Sequence, residues 1–531
     1  MPRSPLLLTV LAVASTLALA PAAQAGWFPA EAIGGPAEIE ALGDVDVARD
    51  GGGAIVYVKR DAGVPQAFLS RLVEGAWVAP QRLSAGAPVS EVAVTATDGG
   101  RLAVAWLAGG EVVATVIRGR AAPAPPVVLG GGATGLHLDM GINEAAYAVW
   151  SAGEDVRAAR LEGTAWTPLA GALDLDPARS AGTGRSRPRV AVSAEGNAVA
   201  TWGEQGADGR THVIARRLTG LTPSSFPQDL TLGAVEGQAG GAADSPDVDI
   251  EDDGSFAWVA FRQDVGGRSR TFARRLRGSL FEDPFALDSG ATSGEPRIDF
   301  NGKGLGGAVA AGADNSVLSP YLDKFDFLQP AVRIDQPAGA DSPSPVVATS
   351  ERADVYTAWR TGGADGSGDV RARRKDGEEG FEPEFVASTP DFGAVAPGQV
   401  AIGADRSGNA VVAMIQSPPT QPGARILTAA VYDRLPGKPI VLSSRRGRSR
   451  KPLLKWAAGS ENWGAQRYTV LVDGRQVGTT TDRTRLRSKR RLRPGTHRYQ
   501  VRSTDRRGQV AVSRVRTFVV KKQQRRRSRS R

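Results

Sequence analysis

The chain has 531 residues, of which 41% are hydrophobic and 23% charged, and this composition excludes a fully disordered protein. It contains no cysteine and only three histidines, His137, His212 and His497. Disulfides, cysteine nucleophiles and thiolate zinc sites are therefore excluded, and a metal cage built from histidines is disfavoured. The formal net charge is +10, and it is distributed unevenly along the chain.

Residues 1–25 have the features of a secretory signal peptide. Arg3 supplies a positive start, the apolar stretch 6–20 is too short to span a bilayer, and Ala23-Gln24-Ala25 predicts cleavage before Gly26. An uncleaved anchor is the alternative. No other apolar run reaches spanning length, so we predict no transmembrane segment. We expect the protein to be secreted and extracellular, or loosely associated with the cell envelope.

Eight segments between residues 44 and 414 share one pattern. Each has an alternating apolar strand, a tight turn rich in Gly, Asp or Asn, and a second apolar strand, which is typical of a β-hairpin. The second strands end at Val58, Trp106, Trp150, Trp202, Phe261, Ala311, Trp359 and Met414. Their mean spacing of about 51 residues is near that of propeller blades, which have four strands each. The sequence therefore predicts a β-propeller over residues 26–435.

A third strand with a recurring arginine follows most hairpins, and a fourth strand usually opens with an aromatic residue. The arginines are Arg71, Arg160, Arg217, Arg275 and Arg373, which we interpret as a solvent-exposed face because they recur once per repeat. The segment 27–33 resembles a fourth strand with no repeat before it, whereas the last repeat lacks a fourth strand. We therefore predict that this segment completes the blade of the last repeat.

The repeats give a count of eight blades. The sixth repeat is the weakest, because Ala311 stands in place of the aromatic residue, and seven blades with an irregular insertion remain an alternative. A linear array of hairpins is a further alternative, although repeated units must stack to bury a face.

The unit from Gly196-Asn197-Ala198 to Trp202 resembles the repeats of secreted bacterial β-propellers. The turn at Ser193-Ala194-Glu195-Gly196 also resembles the Asp-box of sialidase-like propellers, but it departs from the S-x-D-x-G-x-T-W core of that box. The resemblance covers about residues 26–434. It implies an architecture and does not by itself imply an activity.

From residue 436 the pattern changes to seven short strands separated by turns, which predicts a β-sandwich over residues 436–520. Trp456 stands where the core tryptophan of a fibronectin type III domain falls, and the stretch from Leu492 to Tyr499 resembles the tyrosine corner of that family. The resemblance implies a module for spacing or adhesion. Residues 521–531 are predicted to be a disordered basic tail.

The charge separates at the same boundary. Residues 437–531 carry a formal charge of +25 and the remainder −15. A block this basic on an exported protein indicates an anionic partner, although a solubilising tail with a compositional bias is the alternative. The candidate binding residues are Arg445, Arg446, Arg448, Arg450, Lys451, Arg487, Lys489, Arg490 and Arg491.

We expect the partner to be an anionic cell-wall polymer or polysaccharide, or a protein ligand. Nucleic acid is disfavoured because aromatic residues that could stack on bases are missing from the basic runs. The protein is expected to be a monomer.

Two sequence motifs suggest ligand sites, but the residues around them argue against that function. The glycines from Gly302 to Gly307 fit G-x-G-x-x-G, but no helix is predicted after them to bind a phosphate. The acids from Asp247 to Asp253 suggest a calcium loop, but Ala260 occupies the position of its essential glutamate, so we interpret them as exposed acids on a strand and its turn. No catalytic residue, metal site or cofactor is predicted.

Two functions remain open. The sequence favours a secreted, non-enzymatic binding or scaffold protein, with a propeller that presents a ligand surface and a basic fibronectin-like module that tethers it to an anionic envelope or matrix. The alternative is a secreted glycan-active hydrolase, a sialidase- or glycosidase-like propeller with a targeting module. A deep central pocket with clustered carboxylates of shifted pKa would favour the hydrolase, and a channel lined by small apolar residues would favour the scaffold.

Overall fold

A computed structural model describes residues 25–522 except 226, 279, 289, 291–293, 313, 324–326, 336–343, 363–367, 378, 443–448 and 482. Nearly all of the predicted signal peptide and most of the basic tail therefore lie outside the described residues. The chain divides into two compact units. The first comprises residues 26–434 together with 460–464, and the second comprises residues 435–459 and those from 465 onward.

The described residues are all-β. Apart from strands they contain two short 3-10 turns, Gly184–Ser186 and Pro390–Phe392. Within the described ranges, no helix has the length and apolar character that crossing a membrane would need. The predicted all-β class is confirmed.

The described residues of the first unit form eight antiparallel sheets, which we number 1 to 8 in chain order. Their inner strands are Ile39–Val47, Val89–Thr97, Ala133–Met140, Arg189–Val192, Gln238–Ile250, Arg297–Phe300, Val346–Thr349 and Ala394–Ala404. Their second strands are Gly53–Asp61, Arg101–Ala108, Ala146–Ala152, Asn197–Gln205, Phe256–Val265, Gly306–Ala311, Val355–Thr361 and Ala410–Ser417.

The third strands continue each sheet outward, and that of sheet 6 is broken in two. They are Val64–Val73, Glu111–Arg118, Asp155–Glu162, Thr211–Thr219, Arg268–Arg277, Val317–Ser319 with Tyr321–Leu322, Asp369–Lys375 and Arg425–Asp433. The outer strands are short in most sheets. Those of sheets 1 to 7 are Ala76–Trp77 with Gln81–Arg82, Val127–Gly130, Ala165–Pro168, Thr222–Pro223 with Gln228–Asp229, Leu280–Phe281 with Phe285–Ala286, Val332–Arg333 and Phe385–Val386. A further short strand, Ala234–Val235, pairs with the start of the inner strand of sheet 5.

Sheet 8 takes its outer strand from the other end of the unit's sequence. The strand Gly26–Ala37 pairs antiparallel with Arg425–Asp433, so that Trp27 lies opposite Tyr432. The ring of Trp27 stacks on Phe385 of sheet 7 with their centroids 5.7 Å apart, and it meets the edges of Tyr356 and Tyr432. These contacts join sheets 7 and 8 through aromatic packing.

The inner strands of consecutive sheets contact one another, and the inner strand of sheet 8 contacts that of sheet 1. The inner strands thus surround one axis, as in a β-propeller. The second strands are rich in Ala and Val because both of their faces are covered by neighbouring sheets. One apolar cluster, for example, joins Tyr147 and Val149 of sheet 3 to Val190 and Trp202 of sheet 4. The core of the unit therefore lies between sheets.

The third-strand arginines do not form a solvent-exposed face, so that interpretation is wrong. Arg71 donates a hydrogen bond to the carbonyl of Gly119 in sheet 2 at 2.8 Å, and Arg217 donates to the carbonyl of Gly254 in sheet 5 at 2.9 Å. Burial lowers the pKa of Arg217. Arg71 and Arg217 thus each bond to the sheet that follows their own.

The second unit has two antiparallel sheets. One contains Ile440–Val441, Leu453–Ala457 and Arg485–Arg487, and the other contains Arg475–Thr480, Arg467–Val472, Gly495–Thr504, Val510–Val512 and Arg516–Val520. Trp456, Tyr468 and Tyr499 pack between them in one core.

The tyrosine corner expected in this unit is not reproduced. The hydroxyl of Tyr499 donates to the carbonyls of Leu442 and, at 3.2 Å, Lys455, whereas a tyrosine corner bonds to the backbone a few residues upstream. Tyr499 thus ties its strand to the opposite sheet.

Candidate functional site

The axis of the first unit holds a cavity of about 530 Å³ bounded by the inner strands. Residues two apart on a strand point to the same side, so each inner strand can direct more than one side chain to the axis. The charged and titratable residues that line the cavity are Asp44, Glu91, His137, Arg187, Arg189, Asp247, Arg297 and Asp299. Acidic and basic groups from six sheets therefore meet in one space.

Most aspartates on the inner strands accept hydrogen bonds from the backbone of the next sheet. The bonds are from Ala96 N–H to Asp46 (2.7 Å), from Val192 N–H to Asp139 (2.6 Å), from Ile298 N–H to Asp247 (3.0 Å), from Phe300 N–H to Asp249 (2.7 Å) and from Thr349 N–H to Asp299. Each bond satisfies an N–H group on a strand edge that no other strand covers. The carboxylates thus act as links between sheets.

Asp247 and Asp249 were expected to be exposed acids on a strand and its turn, and this expectation is wrong. Asp247 is buried, and both carboxylates bond to sheet 6. Within the described residues, no group of His, Asp and Glu has the arrangement that a metal ion would need.

Burial raises the pKa of several of these carboxyl groups. It raises the pKa of Asp44 to about 7, with a further contribution from the charge of Asp46. Burial also raises the pKa of Asp139 to about 7 and that of Asp299 to about 8. A carboxyl group with a pKa near neutrality can be protonated in solution at pH 7 and can donate a proton.

Asp44 differs from the other aspartates because its hydrogen bond is local. It accepts a hydrogen bond from Val45 N–H on its own strand at 2.8 Å, and no described bond joins it to the next sheet. Among the described carboxyl groups on the cavity wall, that of Asp44 is therefore the one that does not link its own sheet to the next.

The cations in the cavity are paired with carboxylates to different extents. Arg189 Nε lies 3.9 Å from Asp247 Oδ1, and burial together with the charge of Arg297 lowers the pKa of Arg189. Burial and the same two arginines hold the pKa of His137 well below its usual value. The His137 Nδ1 atom accepts a hydrogen bond from Val190 N–H, as a neutral imidazole does. At the rim, Arg187 pairs with Glu91 at 2.9 Å.

An arginine crosses the axis beyond the inner strands. Arg49 lies in the turn between the first two strands of sheet 1, and it pairs with Asp252 in the turn of sheet 5 and, at 2.9 Å, with Glu351 in the turn of sheet 7. Sheets 1 and 5 are four places apart in a ring of eight. Arg49 therefore bridges the turn end of the axis.

The predicted basic site lies on the second unit. Arg450, Lys451, Arg487, Lys489, Arg490 and Arg491 are all exposed. Leu492 N–H donates to the carbonyl of Arg450 at 2.7 Å, and Arg487 donates to the carbonyl of Lys451, so the segments 450–451 and 487–492 lie side by side. Among described residues no carboxylate pairs with these six side chains. Arg445, Arg446 and Arg448 lie outside the described residues.

The cavity was missed in the sequence, although a signal for it exists. Four inner strands carry two charged or titratable residues spaced by two, namely Asp44 and Asp46, His137 and Asp139, Asp247 and Asp249, and Arg297 and Asp299. Polar pairs at strand spacing are usually solvated, but here they repeat on the first strand of the hairpin, which faces the axis. The glycines 302–307 form a hairpin turn with no helix after it, as expected.

No protein-family model matches this chain, and no curated protein matches it. The solved structures that are similar to this chain over most of their own length include the following three. A fungal alcohol oxidase of the AA5 family in complex with copper is 10% identical, with 94% of this chain and 99% of that chain covered and a TM-score of 0.43. The Dos1 propeller is 9% identical, with 76% and 95% covered and a TM-score of 0.44. An α-L-arabinanase from Penicillium chrysogenum complexed with arabinobiose is 11% identical, with 56% and 93% covered and a TM-score of 0.33. Such identities and TM-scores identify no activity for this chain.

Proposed function

We propose that this protein is a secreted glycan-active hydrolase whose active site is the central cavity of an eight-bladed propeller, with a fibronectin-like second unit as its targeting module. The supporting observation is the cavity itself, where carboxyl groups with a pKa near neutrality face arginines. Glycoside hydrolysis needs one protonated carboxyl group and one carboxylate at the same bond. This proposal takes the alternative over the scaffold that the sequence favoured.

Asp44 is assigned the role of general acid. Its pKa of about 7 leaves it protonated in a useful fraction at neutral pH, and its hydrogen bond to Val45 does not tie it to another sheet. Asp247 is assigned the role of base or nucleophile through Oδ1, which lies 3.9 Å from Arg189 Nε, while its Oδ2 keeps the hydrogen bond from Ile298 N–H. The remaining aspartates keep their structural role between sheets.

The arginines point to an acidic glycan as substrate. Arg189 and Arg297 line the same cavity, and the charge of Arg297 contributes to the lowered pKa of Arg189. Arg297 pairs with Glu295 at 3.3 Å, whereas Arg189 Nε lies 3.9 Å from the Asp247 carboxylate. A planar guanidinium binds a carboxylate or sulfate through two parallel hydrogen bonds. An anionic sugar substituent bound between these two guanidinium groups would offset the repulsion between their positive charges.

The test is an assay of hydrolysis on a panel of acidic and neutral polysaccharides, in which the release of reducing ends is measured. Asp44→Asn should lower the rate by about a hundredfold or more because it removes the proton donor. Asp208→Asn, an exposed carboxylate on a turn of sheet 4, should leave the rate unchanged. The wild-type rate should fall as the pH rises above about 7, where Asp44 loses its proton. Full activity in Asp44→Asn, or no hydrolysis of any member by the wild type, contradicts the proposal.

A second candidate is the scaffold tethered to an anionic envelope, which the exposed basic surface of the second unit favours. Both candidates use that surface, so they differ only at the cavity. If an acidic oligosaccharide binds in calorimetry and Arg189→Met abolishes binding, but no bond is cleaved, the scaffold is the better description. A truncation after residue 435 is unsuitable here because it would remove residues 460–464 from the first unit.

A further inference from the structure

The second unit contains a cleft of about 520 Å³, which is lined by residues other than those of the basic surface described above. It is lined by Lys438, Ile440 and Val441 on one side and by Arg514, Val515 and Arg516 on the other. Ile440 is 63% exposed and Val515 is 45% exposed, which is unusual for branched apolar side chains that line a concave surface. The cleft thus combines an apolar lining with three cations.

Two strand edges without a described partner border this cleft. Ile440–Val441 pairs on one side only, with Leu453–Ala457. Arg516–Val520 pairs only with Gly495–Thr504. A strand edge exposes N–H and C=O groups that can pair with another extended chain.

One of these edge carbonyls is bonded to a side chain. The carbonyl of Val441 accepts a hydrogen bond from Arg516 Nη1 at 3.0 Å. An incoming backbone N–H could replace this guanidinium and leave it available to a carboxylate. The exchange would conserve the hydrogen bond at Val441 and add an ion pair at Arg516.

The positive charge around the cleft favours a negatively charged ligand. Among the residues that the structure describes, no acidic side chain lines the cleft, and residues 437–531 carry 29 basic and four acidic residues. Carboxylates on an extended chain would therefore meet Lys438, Arg514 and Arg516, while an apolar side chain of that chain would pack between Ile440 and Val515.

We propose that this cleft binds an extended acidic polypeptide segment, which adds as a strand to the edge at Ile440–Val441. This mode of recognition takes affinity from backbone hydrogen bonds and selectivity from alternate side chains. The proposal is independent of any hydrolytic activity of the first unit.

The test uses the full-length protein and a short fluorescent peptide of alternating glutamate and valine, with binding followed by anisotropy. Two control peptides have the same length. One replaces glutamate by lysine, and the other keeps the side chains but carries N-methyl groups on alternate backbone nitrogens. We expect the acidic peptide to bind and the lysine peptide not to bind. N-methylation should weaken binding by about tenfold, because it removes backbone hydrogen bonds.

Exposed substitutions locate the binding site without disturbing the core. Val515→Ser and Arg514→Ala should each weaken binding several-fold, whereas Arg475→Ala, which removes the same charge from an exposed position on another strand, should not. The proposal is overturned if the acidic peptide fails to bind, if the N-methylated peptide binds as well as its parent, or if Arg475→Ala and Arg514→Ala have equal effects. The proposal is also overturned if an anionic polysaccharide displaces the peptide and Val515→Ser binds the peptide as well as the wild type does. That result would show that the cleft is only part of a surface for polyanions.

Discussion

The two units of this protein manage charge in opposite ways. The first unit, which is acidic overall, buries carboxyl groups around its axis and bonds them to the backbone of the next sheet. The second unit, which is strongly basic, has exposed arginines and lysines. Among the described residues, no carboxylate pairs with those of segments 450–451 and 487–492. Several of the buried carboxyl groups have raised pKa values and can serve chemistry, whereas the exposed charges of the second unit can attract an anionic partner.

The largest expected effect tests the aromatic closure of the first unit. Trp27→Ala removes the ring that stacks on Phe385 and contacts Tyr356 and Tyr432. We expect the free energy of unfolding of this unit to fall by about 3–5 kcal/mol. Hydrogen exchange should rise in Gly26–Ala37 and in its partner strand. Unchanged hydrogen exchange in these two strands would show that the aromatic contacts do not hold sheet 8 closed. The control is Leu280→Ala, at an exposed position.

The second effect is a pH dependence specific to the buried carboxyl groups. Asp139 has a pKa of about 7 in the folded protein against about 4 in an unfolded chain, so the folded state holds its proton more tightly. Its contribution to stability is therefore complete below pH 4 and is lost as the pH rises to 7. The slope is about 1.4 kcal/mol per pH unit for one such group.

Asp139→Asn should remove this slope, because the amide oxygen can still accept the bond from Val192 N–H but cannot ionise. The measurement is urea unfolding of both proteins from pH 5 to pH 8. Parallel curves for the two would contradict a raised pKa at this site. Glu111→Gln, in which an exposed carboxylate on the third strand of sheet 2 is changed, is the matched control.

The third prediction concerns attraction by the exposed charges. Replacing Arg487, Lys489, Arg490 and Arg491 by Gln should weaken co-sedimentation with isolated cell envelopes by about tenfold at low salt, and this difference should vanish at high salt. The matched quadruple replaces Arg467, Arg475, Arg498 and Arg502, which are also exposed. Equal losses in both variants would mean that the attraction comes from net charge and not from the particular surface formed by segments 450–451 and 487–492.

The smallest effect is expected at an arginine between sheets. Arg71→Met keeps much of the aliphatic packing but removes the hydrogen bond to the carbonyl of Gly119. We expect a loss of about 1 kcal/mol in urea unfolding. Arg120→Met, at an exposed position in the turn after the third strand of sheet 2, should change stability by less than about 0.5 kcal/mol. A similar value for both would restore the interpretation of Arg71 as a solvated side chain.

The hairpin repeats could be predicted because their information is local. Alternating apolar residues and a Gly-containing turn, as at Gly196 before Trp202, define two strands without reference to the rest of the chain. The strand Gly26–Ala37 was also recognisable, because its sequence matches an outer strand that the last repeat lacks.

The lining of the cavity could not be predicted from the same pattern. Asp247 and Asp249 alternate with apolar residues in the same way whether they face water or the axis of a ring, and only the neighbouring sheet distinguishes the two. The same holds for Arg217, whose partner carbonyl at Gly254 lies in the following repeat. The partner of Tyr499 was likewise misjudged because the choice of carbonyl depends on how two sheets pack.

The pairing of Gly26–Ala37 with Arg425–Asp433 also has a consequence for the order of folding. Sheets 1 to 7 are each built from one stretch of sequence, and they can form as the chain emerges. Sheet 8 cannot form until both of its segments are present, so its closure is a contact of very long sequence separation and is expected to be late. A circular permutant that keeps the second unit, links its end to residue 26 and opens the chain between two other sheets would bring the two segments of sheet 8 closer in sequence. It would move the slow step to the new junction.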